Sequence, residues 1–383
     1  MTSFRSLGGT RPPILVMSNH IDGLGGAERV SHLIAAGLTS RGYDVALRGI
    51  RPAADERLTL GSLPYSTGFL SSRPERPRSE EPWPDDVRAS MRAEAVKGLD
   101  RLLEGYREGL FICTQVFVAE HLAELGIERC LNAGTRVIGQ YHSSFDAAQL
   151  TGDFGRISKV YRQIDRFLLL TEEDATAFRE KNFNNTGHMP NPLPFYPDEA
   201  PTTGRDKLVV LIARHDENKQ VDHALRAWSL VSSQHPEWRL ELYGDGPEHE
   251  ALVALAAELG IASSVRFMGV VDNVEAVLLR SSIALLCSHY EGLPMVLAEA
   301  IACAVPVVTY NASAGIREIV RDGENGIVVS PSHIEGLAAG MRRLMSDEPL
   351  RQTYADQARA HALAFSAESV LDRWEELIAR TML

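Results

Sequence analysis

The chain has 383 residues, 44% of them hydrophobic and 23% charged, with a formal charge of −12 at neutral pH; such proportions fit a globular chain long enough for two domains of ordinary size. An acidic balance of that size excludes a general binder of nucleic acid or of anionic membrane, while leaving room for a local basic site. No apolar run approaches the roughly 20 residues of a membrane span. No Cys-x-x-Cys pair occurs among Cys113, Cys130, Cys287 and Cys303, so buried thiols in a reducing, cytoplasmic setting are expected rather than disulfides.

The opening M-T-S-F-R-S-L-G-G-T-R-P-P lacks the apolar core of a signal peptide and reads as a short loose tail. Residues 14–18 form an apolar run that predicts a first parallel strand, followed by N-H-I-D-G-L-G-G-A-E-R-V and a helix through Ser40. Strand, glycine loop and helix begin a doubly wound α/β domain. A dinucleotide fingerprint would need a third glycine where Glu28 stands, and the strand over 44–49 carries Arg48 near its end rather than a ribose-binding acid. A nicotinamide oxidoreductase is therefore the weaker reading. Residues 71–86, rich in Pro and charge, predict an exposed, mobile loop. A helix over 87–106 follows, then a buried strand over 110–118 with a helix through Ala123. A strand over 136–141 delivers His142 at its C-terminal end, where doubly wound sheets bind ligands. A strand over 167–171 leads into a helix with Thr171 as its N-cap. Four prolines in residues 189–197 cannot continue a helix or a central strand, and mark a linker.

A second α/β unit begins with a strand over 208–213, which opens into R-H-D-E-N-K-Q. Arg214 and Lys219 leave this strand-end loop five residues apart, a planar fork and a point charge that suit a diphosphate. A strand over 240–243 runs into G-D-G-P-E, with Pro247 at a helix start, and a strand over 265–267 runs into Met268, Gly269 and Val270. The apolar run 283–287 is a further buried strand. Its loop S-H-Y-E-G-L-P-M leads to a helix opening at Pro294, which suits a first helical position. The amides of Gly292, Leu293 and Met295 would then form an anion cradle. Glu291 and Glu299, eight residues apart, would repel a phosphate they touched. They are better placed on hydroxyls to either side, which suggests a phosphate between two sugars, as in a nucleotide-sugar. The segment V-P-V-V-T is a returning strand, residues 312–319 a loop before the last strand D-G-E-N-G-I-V-V, and final helices close the chain.

Taken together, E-G-L-P-M-V-L-A-E, A-R-H-D-E-N-K-Q, G-D-G-P and G-G-A-E-R resemble the motifs of GT-B retaining glycosyltransferases of family 4, with Ala213, Gln220 and Pro192 standing where that family usually has glycine. K-Q-V-D-H-A-L-R-A-W is most similar to enzymes that glycosylate wall teichoic acid. The resemblance implies two facing Rossmann-like parallel-sheet domains: an acceptor domain over 1–197, completed by a terminal helix over 366–383 anchored by Phe365 and Trp374, and a donor domain over 205–365. It implies that Arg214 and Lys219 hold the diphosphate and that the amides from Gly292 to Met295, including Leu293 and Pro294 in the same turn, hold the distal phosphate. Glu291 would take a donor-sugar hydroxyl, Glu299 the ribose, and the backbone of Met268, Gly269 and Val270 the base. Gly25 and Gly26 would reach the donor phosphate, and His142 would contact the transferred sugar. Glu291, His142, Arg214 and Lys219 are thus the expected catalytic residues.

No Asp-x-Asp occurs, so neither a metal nor another cofactor is expected, and protein cations would neutralise the leaving diphosphate. The expected reaction moves a hexose from a UDP-linked donor to a hydroxyl acceptor with retention. The acceptor would be a cell-wall polymer, a lipid-linked glycan or a natural product, with peripheral membrane contact only through the acceptor and no nucleic-acid partner. The alternatives are a GT-B epimerase or phosphorylase, or a silent binding protein, which would be expected to lack some of Arg214, Lys219, Glu291 and Glu299.

Overall fold

In a computed structural model of the chain, residues 11–23, 25–54, 61–76 and 80–383 are described. The expected tail falls mostly, and the Pro-rich loop partly, outside them. The chain divides into two compact units, one of residues 1–192 with 367–383 and one of residues 193–366. The division falls inside the proline-rich stretch 189–197.

The first unit runs β1 (Ile14–Ser18), α1 (Gly26–Ser40), β2 (Val45–Gly49), β3 (Ser66–Phe69), α2 (Asp85–Leu103), β4 (Leu110–Cys113), α3 (Val116–Leu125), α4 (Ile127–Asn132), β5 (Arg136–Gln140), α5 (Phe145–Leu150), α6 (Asp153–Val160), β6 (Arg166–Leu169), α7 (Glu172–Arg179) and β7 (Thr186–His188). Its seven strands are all parallel, in the order β3-β2-β1-β4-β5-β6-β7. A parallel sheet covered on both faces needs continuous apolar strands, and β1 and β4 are buried at every position. Leu15, Met17, Phe111, Val137 and Phe167 lead the core between sheet and helices.

The second unit runs β8 (Leu208–Ile212), α8 (Val221–Ser229), β9 (Arg239–Tyr243), α9 (His249–Glu258), β10 (Val265–Gly269), α10 (Val274–Arg280), β11 (Ile283–Leu286), α11 (Met295–Ala302), β12 (Val307–Tyr310), α12 (Ala314–Ile319), β13 (Gly326–Val329), α13 (Ile334–Ser346) and α14 (Glu348–Ala362). Its six parallel strands lie in the order β10-β9-β8-β11-β12-β13 around a separate core that includes Val209, Leu211, Trp228 and Leu285. The last helix, α15 (Ala367–Thr381), belongs to the first unit. It packs on α1 so closely that a Cβ on Gly37 would lie 2.6 Å from Leu371. Arg41 pairs there with Asp372 at 2.8 Å and with Glu375 at 3.0 Å. Trp374 is fully buried in this unit, and Phe365 is buried in the second.

Four local expectations change. The strand expected over 110–118 stops at Cys113, and Val116 already starts α3; the apolar, β-branched V-F-V segment has the composition of a strand but packs as the buried first turn of a helix. Residues 314–319 form α12 instead of a loop, capped by Ser313, whose Oγ accepts from the amide of Ile316 at 3.3 Å. Pro247 precedes α9 by two residues. The edge strands β3 and β7 were not expected at all: each is short and only partly buried, so neither has the apolar run that announces an inner strand. All four cysteines are buried and none is in a disulfide, and no helix among the described residues is long and apolar enough to cross a membrane.

Candidate donor-binding site

In the second sheet the chain moves outward from β8 through β9 to β10, then returns to the other side of β8 with β11. Loops leaving β8 and β11 therefore diverge, and the crevice between them at the carboxyl ends is where such sheets bind ligands. Two of the sequence-derived residues meet there. Lys219 ends a short 3-10 turn capped by Asp216, whose carboxylate accepts from the Lys219 amide at 3.2 Å. Its Nζ lies 2.5 Å from Glu291 Oε1 in the loop after β11, and the Ser288 hydroxyl donates to the same oxygen at 2.6 Å. Both side chains are largely shielded, 24% and 12% exposed, so their attraction is less screened than that of a surface pair.

Asn218 joins the two loops. Its carbonyl accepts from the His289 amide at 2.7 Å, its side-chain oxygen from the Tyr290 amide at 3.2 Å, and its side-chain NH2 donates to the Tyr290 carbonyl at 3.2 Å. Gln220, which follows Lys219, adopts φ +45° and ψ +47°. This left-handed conformation explains why glycine would be favoured at that position.

The Glu291 loop is pinned from below as well. A Cβ on Gly315 would lie 1.7 Å from the Gly292 carbonyl oxygen, so only glycine lets α12 approach this closely. Ser313 Oγ donates to the same carbonyl at 3.4 Å. Pro294 is the N-cap of α11, one place earlier than the first helical position expected. The Leu297 amide turns back to the Pro294 carbonyl at 3.0 Å, while the amides of Met295 and Val296, in the first turn, have no partner within the helix. Gly292, Leu293 and Pro294 are buried, and Glu299 is 2% exposed within α11.

Other expected residues lie apart from this pair. The Arg214 side chain is 61% exposed, and its ion pair is a loose one with Asp216 at 3.7 Å. Met268 and Val270 are exposed apolar side chains at the end of β10, two strands from β8 on the side away from β11. Between them Gly269 has φ +73°, and its carbonyl accepts from the Gly244 amide at 2.8 Å.

Gly25, Gly26 and His142 belong to the first unit. Gly25 caps α1, where a Cβ would lie 2.1 Å from a Glu28 carboxylate oxygen, whereas the space beside Gly26 is open. His142 follows β5, and both ring nitrogens are buried without a hydrogen-bond partner, as is Asn191 Oδ1. Burial pushes the His142 pKa down to about 4, only partly opposed by Asn191. The ring is neutral at physiological pH, and a neutral imidazole offers one donor and one acceptor. Sequence reasoning missed Asn218, Ser288 and Gly315. Asn218 stands beside Lys219 in E-N-K, but its bonds are to a loop 72 residues away, which no local pattern announces.

Two Rossmann-like parallel-sheet units, with the terminal helix in the first, define the GT-B fold. The same fold is seen in the Anabaena protein HepE solved with UDP and glucose, 18% identical, with a TM-score of 0.73 over 97% of this chain and 100% of that one. Residues 195–361 match the family model of glycosyl transferases group 1. An exopolysaccharide phosphotransferase of Streptomyces coelicolor is 30% identical over 93% of the chain, and the chain spans only 39% of its length. An uncharacterized glycosyltransferase of Haemophilus influenzae is 28% identical over 94% of the chain and 98% of its own length.

Proposed function

We propose that the protein is a retaining glycosyltransferase that moves a hexose from a UDP-linked donor to a hydroxyl acceptor without a metal ion at the diphosphate. The observation that carries this reading is the meeting of Lys219 and Glu291 at the β8–β11 crevice. A cation for the diphosphate and a carboxylate for a sugar hydroxyl stand there beside the first-turn amides of α11. The HepE complex with UDP and glucose supports the nucleotide and the sugar, and the family match supports the transfer.

In this reading the diphosphate takes the place of Glu291 as the counter-ion of Lys219, and Arg214 swings in from solvent as a second cation. The Met295 and Val296 amides, with those of Gly292 and Leu293, hold the distal phosphate, and Glu299 takes the ribose. As the glycosidic bond breaks, negative charge grows on the departing phosphate, and a fixed cation with oriented amides stabilises it most at that point. Same-face attack, with that phosphate receiving the acceptor's proton, retains the configuration. The acceptor is a polymer, lipid-linked glycan or natural-product hydroxyl at the cytoplasmic side. Gly25, Gly26 and His142 keep their assignments to donor phosphate and transferred sugar, but the reading rests on the second unit alone.

A panel of nucleotide-sugars tests it. In EDTA, a UDP-hexose should raise the melting temperature and be slowly hydrolysed, releasing the sugar with its starting anomeric configuration. Inversion would exclude retention, a requirement for added Mg2+ would exclude the cation assignment, and release of sugar phosphate would favour chemistry like that named for the Streptomyces relative.

A further inference from the structure

On the flank of β8 that faces β9, a second group of polar side chains converges. His215, fully buried, follows Arg214 in the loop after β8; Asp245 lies in the loop after β9; His249 opens α9. The His215 and His249 Nδ1 atoms are 3.1 Å apart, with ring planes within 10° of parallel. Asp245 Oδ1 is 3.8 Å from His249 Nδ1, and one ligand atom from each of the three residues lies within 4.8 Å of the others. His215 Nε2 is buried with no partner.

The backbone fixes this arrangement. The His215 amide donates to the Asp245 carbonyl at 2.9 Å, and the Glu248 amide donates to the His215 carbonyl at 3.0 Å. A Cβ on Gly246 would lie 2.4 Å from the His215 carbonyl oxygen, so the loops close on each other only with glycine there. Phe267 walls the pair, its ring centroid 5.4 Å from that of His249. Two imidazole nitrogens held at this separation can share one proton or one cation. Ligand bonds of about 2.0–2.1 Å at a tetrahedral angle would place two nitrogens roughly 3.3 Å apart, close to the distance observed. The carboxylate needs only a small rotation of an exposed side chain.

We propose that His215, Asp245 and His249 form a site for one divalent transition-metal ion of the zinc class, with a remaining position open to water. Imidazole nitrogens favour Zn2+, Ni2+ and Co2+ over Mg2+ and Ca2+, so selectivity is part of the proposal. The site would tie the loop that carries Arg214 and Lys219 to the loop before α9. It stands on different residues from the donor crevice, and its test contains no sugar nucleotide, so either reading can fail alone. In sequence it shows only as Asp and His four residues apart in D-G-P-E-H, with the third ligand 30 residues earlier.

The full chain, stripped with chelator and dialysed, is titrated with CoCl2 by visible absorption and with ZnCl2 by calorimetry. One Co2+ per chain should develop d–d bands, Zn2+ should displace it, and MgCl2 should give neither heat nor displacement. His249→Ala and Asp245→Asn, both reaching solvent, should each weaken binding at least about tenfold, since each removes one of three ligands. His20→Ala and His188→Ala, which disrupt the histidine–carboxylate pairs with Glu75 and Glu172, should leave it unchanged. Absence of Co2+ and Zn2+ binding at millimolar concentration, or binding indifferent to His249→Ala, would overturn the proposal and leave the histidines as a hydrogen-bonded pair.

Discussion

Both sheets reverse their strand order beside their first strand, at β1–β4 in one unit and at β8–β11 in the other, yet the two crevices are filled differently. In the first, neutral groups close the gap: Gln115 Oε1 accepts from the Asn19 amide at 2.6 Å and from Ser18 Oγ at 3.0 Å, and Thr114 donates to the Met17 carbonyl at 2.9 Å. In the second, a lysine and a glutamate meet at the same topological place, in loops pinned by Asn218 and Gly315. One architecture thus supplies two positions suited to a ligand, and side chains decide which of them can neutralise a diphosphate.

The largest expected effect comes from removing the charge that distinguishes the second crevice. Lys219→Ala should lower turnover about 10²–10³-fold, the usual range for losing one group that stabilises developing charge, with the circular-dichroism melt still cooperative. Arg214→Ala should cost less, on the order of tenfold, because an exposed cation is screened; equal losses would show that both cations are fully engaged in the transition state. Next comes the pin beneath the loop. Gly315→Ala puts a methyl against the Gly292 carbonyl, so stability should fall by about 1–3 kcal/mol, as for other overpacked sites, and KM for the donor should rise. Wild-type KM and melting temperature in this variant would show that the close approach does not hold the crevice.

Smaller still is the latch. Asn218→Ala removes two side-chain hydrogen bonds of about 1 kcal/mol each and should raise donor KM roughly tenfold with little change in kcat. The subtlest difference lies in the first unit. His142 has its pKa depressed to about 4 from 6.5, so between those values the unfolded chain binds the proton that the folded chain refuses. Stability therefore falls as the pH drops from 6.5 towards 4. His142→Asn should flatten that part of the melting-temperature profile, and an unchanged slope would show that the buried ring is not its source.

Much of this contrast is legible in the sequence. Runs such as L-V-V-L-I and I-A-L-L admit little but buried strands, and Lys219, Glu291 and Pro294 stand in motifs whose chemistry can be read locally. What was not legible depends on contacts distant in sequence. Gly315 is ordinary until α12 meets the Gly292 carbonyl, and β3 and β7 need only a sheet edge to pair with. The V-F-V of residues 116–118 has strand composition, but the neighbouring helices decide its state. His215 and His249 are separated by α8 and β9, so their meeting follows from the fold alone.

The central claim is tested most directly by calorimetric titration of UDP-glucose, in EDTA, into the wild-type protein and Lys219→Ala. We expect one site per chain in the wild type without added metal, and loss of measurable binding in a variant that melts cooperatively. Equal affinity in the two proteins would contradict the assignment of the β8–β11 crevice to the diphosphate.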